Sequence, residues 1–179
     1  MDKTYTLNVA GLTRELPLCP INEKLDIAAF IMFSDVEITV ASAKALLEKC
    51  PGFDIIITAD TKGIPLAYEM ARQSGKPYIV ARKSVKLYMK NPVSVNVKSI
   101  TTAAEQTLCL SEDKAEMLKN KKVLIVDDVI STGESLKALE QLVSAAGGEI
   151  SAMAAVLAEG DAADRDDIIF LEKLPLFFK

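Results

Sequence analysis

The stretch Val123-Leu124-Ile125-Val126-Asp127-Asp128-Val129-Ile130-Ser131-Thr132-Gly133-Glu134-Ser135 constrains this chain more than any other. Val123 to Val126 are all apolar and mostly β-branched. A run this short and this apolar suits a strand buried on both faces, as in a parallel sheet. Two adjacent carboxylates, Asp127 and Asp128, follow at its C-terminal end. Small hydroxyl residues and Gly133 come next, and then a helical pattern begins. Leu136, Leu139, Leu142, Val143 and Ala146 fall on one helix face, and Gly147-Gly148 supplies a stop.

This order of residues selects a ligand chemistry. The first turn of a helix has unpaired N–H groups and a partial positive charge, so it attracts anions. Gly133 allows a phosphate to approach the backbone closely, and the Thr132 and Ser135 hydroxyls can donate to it. Asp127 and Asp128 cannot be phosphate ligands. They suit polyol hydroxyls, or a Mg²⁺ ion that accompanies a phosphorylated substrate. A ribose 5-phosphate has a phosphate at one end and vicinal hydroxyls beside it, and it fits both halves.

Two further strand ends repeat the arrangement. Phe53 to Ala59 reads as a buried strand that runs into Asp60-Thr61-Lys62-Gly63, with a helix following from Ile64 to about Gln73. Lys62 together with helix amides would hold a second phosphate group. Tyr78 to Ala81 is a third strand, and Arg82, Lys83 and Lys86 follow it; a solvated surface cluster is the competing reading of these cations. Parallel α/β sheets bind ligands at the edge formed by the C-terminal ends of their strands.

The rest of the chain supports a single α/β unit. Its 179 residues are enough for a full core, and 50% are hydrophobic against 26% charged. A net charge of −4 without a basic cluster argues against a nucleic-acid surface. Cys19, Cys50 and Cys109 fit neither a disulfide framework nor a zinc site. There is no histidine, which rules out imidazole catalysis. The apolar run Ile27 to Phe33 is far too short to span a bilayer, and a cytoplasmic protein without a membrane partner is expected.

Local patterns predict the remaining elements. Tyr5, Leu7 and Val9 suggest a strand, and Leu16-Pro17-Leu18-Cys19-Pro20 is expected to break regular structure. Ile38 to Cys50 reads as a helix closed by Pro51-Gly52. Val93, Val95 and Val97 form one strand and Glu105 to Ser111 its return, joined by the small polar segment 99–104, suited to a mobile hairpin. Ile150 to Leu157 and Ile168 to Leu171 are strands, with an exposed acidic loop from Asp161 to Asp167 between them. Phe177 and Phe178 suit either surface or core.

The stretch from Val123 to Gly133 resembles the phosphoribosyl pyrophosphate (PRPP) signature of the type I phosphoribosyltransferases, nearest the adenine and xanthine branch. Asp60-Thr61-Lys62-Gly63 resembles that family's pyrophosphate loop, Asp-Ser-Arg-Gly in adenine phosphoribosyltransferases, with Lys62 in place of the arginine. The resemblance implies an α/β fold with a parallel sheet flanked by helices. It also implies one domain over residues 1–179, a small hood from residues 1–33 and 158–179, and a mobile β-hairpin loop. A cis peptide before the basic residue of the pyrophosphate loop is common in the family.

The activity implied is purine salvage of the adenine type, in which a free base and PRPP give a nucleoside 5′-monophosphate and pyrophosphate with Mg²⁺. By this resemblance Ser131, Thr132, Gly133, Glu134 and Ser135 hold the 5′-phosphate. Asp60, Thr61, Lys62, Gly63, Arg82, Lys83 and Lys86 hold pyrophosphate. Asp127 and Asp128 are catalytic and meet the metal indirectly, through ribose hydroxyls or water. The glutamate-tyrosine pair that adenine phosphoribosyltransferases carry in this loop does not align here: Glu105 is the nearest acid and the candidate for the catalytic glutamate, and the tyrosine is missing. Relatives are usually homodimers. Two alternatives remain: a PRPP-sensing regulator of the same fold, and an orotate-type enzyme with Lys98 as its loop lysine.

Overall fold

The structure is a computed structural model and describes residues 3–98 and 105–179. Three N-terminal strands come first: β1 (Thr4–Val9), β2 (Leu12–Asn22) and β3 (Leu25–Ala28). Helix α1 (Val36–Lys49), strand β4 (Ile55–Ala59), helix α2 (Ile64–Ser74) and strand β5 (Tyr78–Ala81) follow. Strands β6 (Val93–Lys98) and β7 (Glu105–Leu110) pair as an antiparallel hairpin, and short α3 (Glu112–Glu116) leads to β8 (Lys122–Ile130). Helix α4 (Glu134–Ala145), β9 (Glu149–Glu159), a 3₁₀ turn (Gly160–Asp164), β10 (Ile169–Leu174) and β11 (Leu176–Phe178) complete the chain.

Five strands form a parallel sheet in the order β10-β9-β8-β4-β5. Its central strands are apolar on both faces because both faces are covered. Along β8, Val123 and Ile125 enter the core shared with α4, while Leu124 and Val126 enter the core shared with α1 and α2. β4 divides its residues the same way, Ile55 and Ile57 against Ile56. The α/β expectation, with helices on both faces, holds.

A separate antiparallel sheet, ordered β1-β2-β3-β11, caps the second core with Leu7, Val9, Leu16 and Ala28. This is the hood. Phe177 of β11 packs edge-on against Tyr5 of β1 at 5.3 Å, whereas Phe178 is exposed. Strand β2 runs through Pro17 and Pro20, contrary to the expected break. Both prolines are exposed, the register shifts between Pro20 and Asn22, and the Pro17 carbonyl still accepts from Ala29 N–H at 2.9 Å. A missing donor is tolerated at such irregular or outward positions.

The hood is tied to the sheet domain through Arg14. Its guanidinium donates to both carboxylate oxygens of Asp35, at 2.7 and 3.1 Å, and to Glu37 at 2.7 Å. Asp35 in turn caps α1 by accepting from Ile38 N–H. These contacts hold the α1 end of the segment between β3 and α1.

Among the described residues no helix is long and apolar enough to cross a membrane.

Candidate active site

β4, β5 and β8 lie side by side and point the same way, so the loops that follow them leave from one edge of the sheet. β4 and β5 are in register up to Ala59 opposite Ala81, which sets Asp60 and Arg82 next to each other. Asp60 N–H donates to the Ala81 carbonyl at 2.9 Å, and Arg82 Nε lies 2.8 Å from Asp60 Oδ2. That pair is ionic and not aligned as a hydrogen bond. The Arg82 backbone is also bridged to Cys109 of β7 by two 2.9 Å hydrogen bonds. The root of the hairpin is thereby anchored to the cationic loop.

The Asp60–Thr61 peptide is cis, one bond ahead of the link to Lys62. Thr61 and Lys62 are exposed and Gly63 is buried. Gly63 packs directly against Asp127 of β8. Lys83 is exposed, and Lys86 Nζ donates to Ser84 Oγ at 2.7 Å.

Strand β8 does not stop at Val126 but continues through both aspartates to Ile130. Pairing with β9 over Asp127–Ala155 and Val129–Leu157 supplies the backbone partners that extend it. Successive residues of a strand point to opposite sides, so two neighbouring acids serve different directions. Asp127 Oδ1 accepts from Asp128 N–H at 2.9 Å and faces the Gly63 loop. Asp128 is only 4% exposed, and its Oδ2 is buried without a hydrogen-bond partner.

Burial and the neighbouring acid push the Asp127 carboxyl up to about 8. Burial likewise raises Asp128, opposed in part by its contact with Asp127 and by the Lys62 charge. A buried carboxylate oxygen without a partner is costly unless something arrives to satisfy it.

Beyond Ile130 the chain turns at Ser131 and Thr132, both exposed, and Gly133 takes φ +77°. L side chains rarely adopt that region, so glycine serves as the N-cap of α4 without a side-chain cap. Glu134 and Ser135 open the helix. A first turn without a side-chain cap is the arrangement expected of an anion nest.

Lys62, Asp128 and Ser131 line one cleft of about 330 Å³. Its other walls are Ile27 to Ile31, Phe33, Val129, Glu159 and Leu174. The cleft therefore lies between the acidic strand end and the hood. Both Ile27–Phe33 and Glu159 fall in the hood segments expected from the sequence, which assigned neither of them to the site. Glu159 ends β9 at the same sheet edge, so the logic applied to the other strand ends extends to it. Burial holds its carboxyl above the ordinary range, and Lys62 opposes the shift.

Glu105 opens β7 opposite Lys98. The side chains of both, and the 99–104 loop, lie outside the described residues.

Residues 37–174 match the family described as the phosphoribosyl transferase domain. A xanthine phosphoribosyltransferase from an Exiguobacterium species is 32% identical over 117 residues, 65% of this chain and 60% of that protein. An adenine phosphoribosyltransferase from Thermotoga neapolitana is 36% identical over 102 residues, 57% of each. The Bacillus subtilis purine biosynthesis transcriptional repressor PurR is 32% identical over 111 residues, 62% of this chain and 38% of that one. The chain thus spans less than two thirds of the length of these relatives. A crystal structure of adenine phosphoribosyltransferase from Thermoanaerobacter pseudethanolicus superposes with a TM-score of 0.74 at 21% identity, covering 88% of this chain and 95% of that one. The fold and the family match over residues 37–174 agree: this chain belongs to the phosphoribosyl transferase domain family and has the type I phosphoribosyltransferase fold.

Proposed function

We propose that this protein is a purine phosphoribosyltransferase of the adenine type, joining a free base to the ribose 5-phosphate of PRPP and releasing pyrophosphate. The observation that carries the reading is Asp128 Oδ2, buried and unpartnered in a cleft shared with Lys62 and Ser131. A sugar hydroxyl there would satisfy it.

In this reading the α4 nest, Ser131 to Ser135, takes the 5′-phosphate. Asp127 and Asp128 accept hydrogen bonds from the ribose hydroxyls. The pyrophosphate lies over Asp60 to Gly63, with Lys62, Arg82, Lys83 and Lys86 opposing its charge. Asp60 contributes through Arg82, which it holds at 2.8 Å. The flat base enters between the apolar walls Ile27–Phe33 and Val129, with Glu159 as a hydrogen-bond acceptor.

The reaction breaks the C1–oxygen bond to pyrophosphate and forms a bond from C1 to a ring nitrogen of the base, which gives up its proton. The sugar passes through an oxocarbenium-like state, as in glycoside chemistry. In this reading the charge of Asp128 stabilises that cation. The four cations stabilise the departing pyrophosphate. Closure over the sugar would exclude water, and Glu105, the first residue of β7, is the candidate acid.

The residues fit a Mg²⁺ ion held indirectly. Two raised carboxyls side by side favour a neutralising cation. Among the described residues no group of three or more ligating side chains would hold a metal alone. Asp127 and Asp128 would hold the ion indirectly, through ribose hydroxyls or water, and it would neutralise leaving-group charge.

We propose a cytoplasmic homodimer formed from one domain per chain. The adenine assignment is supported by similarity to the Thermotoga protein. Similarity to PurR favours a second reading, a PRPP sensor. Incubation with PRPP, Mg²⁺ and, in turn, adenine, hypoxanthine, guanine, xanthine or orotate separates them. Pyrophosphate release with adenine is expected. Tight PRPP binding without release for any base would select the sensor, and release with orotate alone would overturn the purine assignment.

A further inference from the structure

We propose that Arg165 is an additional ligand of the 5′-phosphate, reaching the α4 nest from the loop after the 3₁₀ turn. The inference rests on the reading of Ser131–Ser135 as the phosphate site. A Cβ built on Gly133 would lie 2.8 Å from Arg165 Nη1, so the guanidinium already sits against the backbone of the phosphate loop. Asp167 holds the other two nitrogens: Nε donates to Oδ1 at 2.8 Å and Nη2 to Oδ2 at 2.6 Å. This fork fixes the plane of the guanidinium and turns Nη1 toward Gly133. The backbone is fixed as well, since Arg165 N–H donates to the Ala162 carbonyl at 3.2 Å.

The charge balance of the loop calls for such a group. Ser131 to Ser135 contain one acid, Glu134, and no lysine or arginine. A phosphate dianion at that turn meets a carboxylate and only a partial positive charge from the helix end, equivalent to about half a unit. A guanidinium held at the same turn offers Nη1, outside the Asp167 fork, as a charge-assisted donor, and its planar donors match phosphate oxygens. Its side chain is 32% exposed, which leaves it reachable by a ligand. The alternative role is a structural staple, in which the guanidinium is held by Asp167 and drawn toward α4 by the charge of Glu140.

Titration calorimetry of wild type, Arg165→Gln and Arg165→Lys with two separate probes, ribose 5-phosphate and Mg²⁺-pyrophosphate, decides between the two. A charge-assisted hydrogen bond of this kind corresponds to about tenfold or more in affinity. Arg165→Gln is therefore expected to weaken ribose 5-phosphate about tenfold with pyrophosphate unchanged, and Arg165→Lys to recover part of the loss. Unchanged ribose 5-phosphate affinity in Arg165→Gln overturns the assignment, as does equal weakening of both probes, which marks a structural staple. Failure of wild type to bind ribose 5-phosphate at all overturns the phosphate-site reading itself, and the Arg165 assignment with it.

Discussion

Gly63 and Asp127 are packed so closely that a methyl group on Gly63 would stand 3.0 Å from Asp127 Oδ1, and 2.3 Å from Thr58 Oγ1. The pyrophosphate-type loop after β4 and the acidic end of β8 are therefore closely fitted to each other. The constraint is steric, since the Gly63 backbone is in the ordinary helical region at φ −72°.

Gly63→Ala is expected to force these loops apart. Overpacking of this kind costs about 1–3 kcal/mol of stability. A displacement on the ångström scale costs about a hundredfold in rate. The expected outcome is a folded protein with kcat/KM down by about two orders of magnitude, read by steady-state kinetics beside a thermal melt. Near-wild-type kcat/KM would show that the loop geometry is not critical.

The raised Asp127 and Asp128 carboxyls predict an unusual pH dependence for the ligand-free protein. The folded state keeps a proton that the unfolded chain has released above about pH 4. Stability from that proton is present at low pH and is lost as pH rises toward the folded value of about 8. Carboxylates lowered by ion pairs, such as Asp35 and Asp167, have reached their full contribution by pH 5 and add no slope above it. Urea unfolding is expected to give lower stability at pH 8 than at pH 5. Asp127→Asn should flatten that difference while cutting turnover. A wild-type curve that is flat or rising over this interval would remove the buried-pair description.

Glu159 lines the cleft together with Lys62 and Ser131, on the strand that borders the hood. Glu159→Gln is expected to raise KM for the base by about tenfold, the scale of a lost hydrogen bond to a charged group. KM for PRPP should stay within about twofold, the scatter expected of an uninvolved residue. Steady-state kinetics with each substrate varied in turn provides the check, and an equal rise in both constants would move Glu159 out of the base pocket.

Lys62 carries its charge on a single point, where an arginine would offer a planar fork. Lys62→Arg is expected to tighten pyrophosphate as a product inhibitor, by about threefold to tenfold for one added hydrogen bond. Inhibition constants measured against PRPP test this, and weaker inhibition would mean that Lys62 serves the cleft acids and not the pyrophosphate.

Much of this arrangement was legible in the sequence, because buried parallel strands announce themselves as unbroken apolar runs. Ile55–Ala59, Tyr78–Ala81 and Val123–Val126 were readable for that reason, and the residues after them fell into place once one edge was assumed. The Pro17–Pro20 segment misled because proline was weighed as a breaker without regard to which strand face it occupied. The continuation of β8 through Asp127 and Asp128 was hidden because acids are poor strand formers in isolation, and only pairing with β9 reveals it. The cleft was illegible for a different reason. Ile27–Phe33, Val129 and Glu159 meet only through the packing of hood on sheet, and no local spacing encodes that. Arg165 was hidden likewise in an acidic loop whose contact with Gly133 exists only in three dimensions.

The central claim is that loops on one sheet edge grip the two phosphorylated ends of a single sugar. Competition calorimetry tests it most directly: ribose 5-phosphate and Mg²⁺-pyrophosphate are titrated together, then displaced with PRPP. The two fragments should bind simultaneously, and PRPP should displace both. Mutually exclusive fragments, or PRPP displacing only one of them, would contradict the claim.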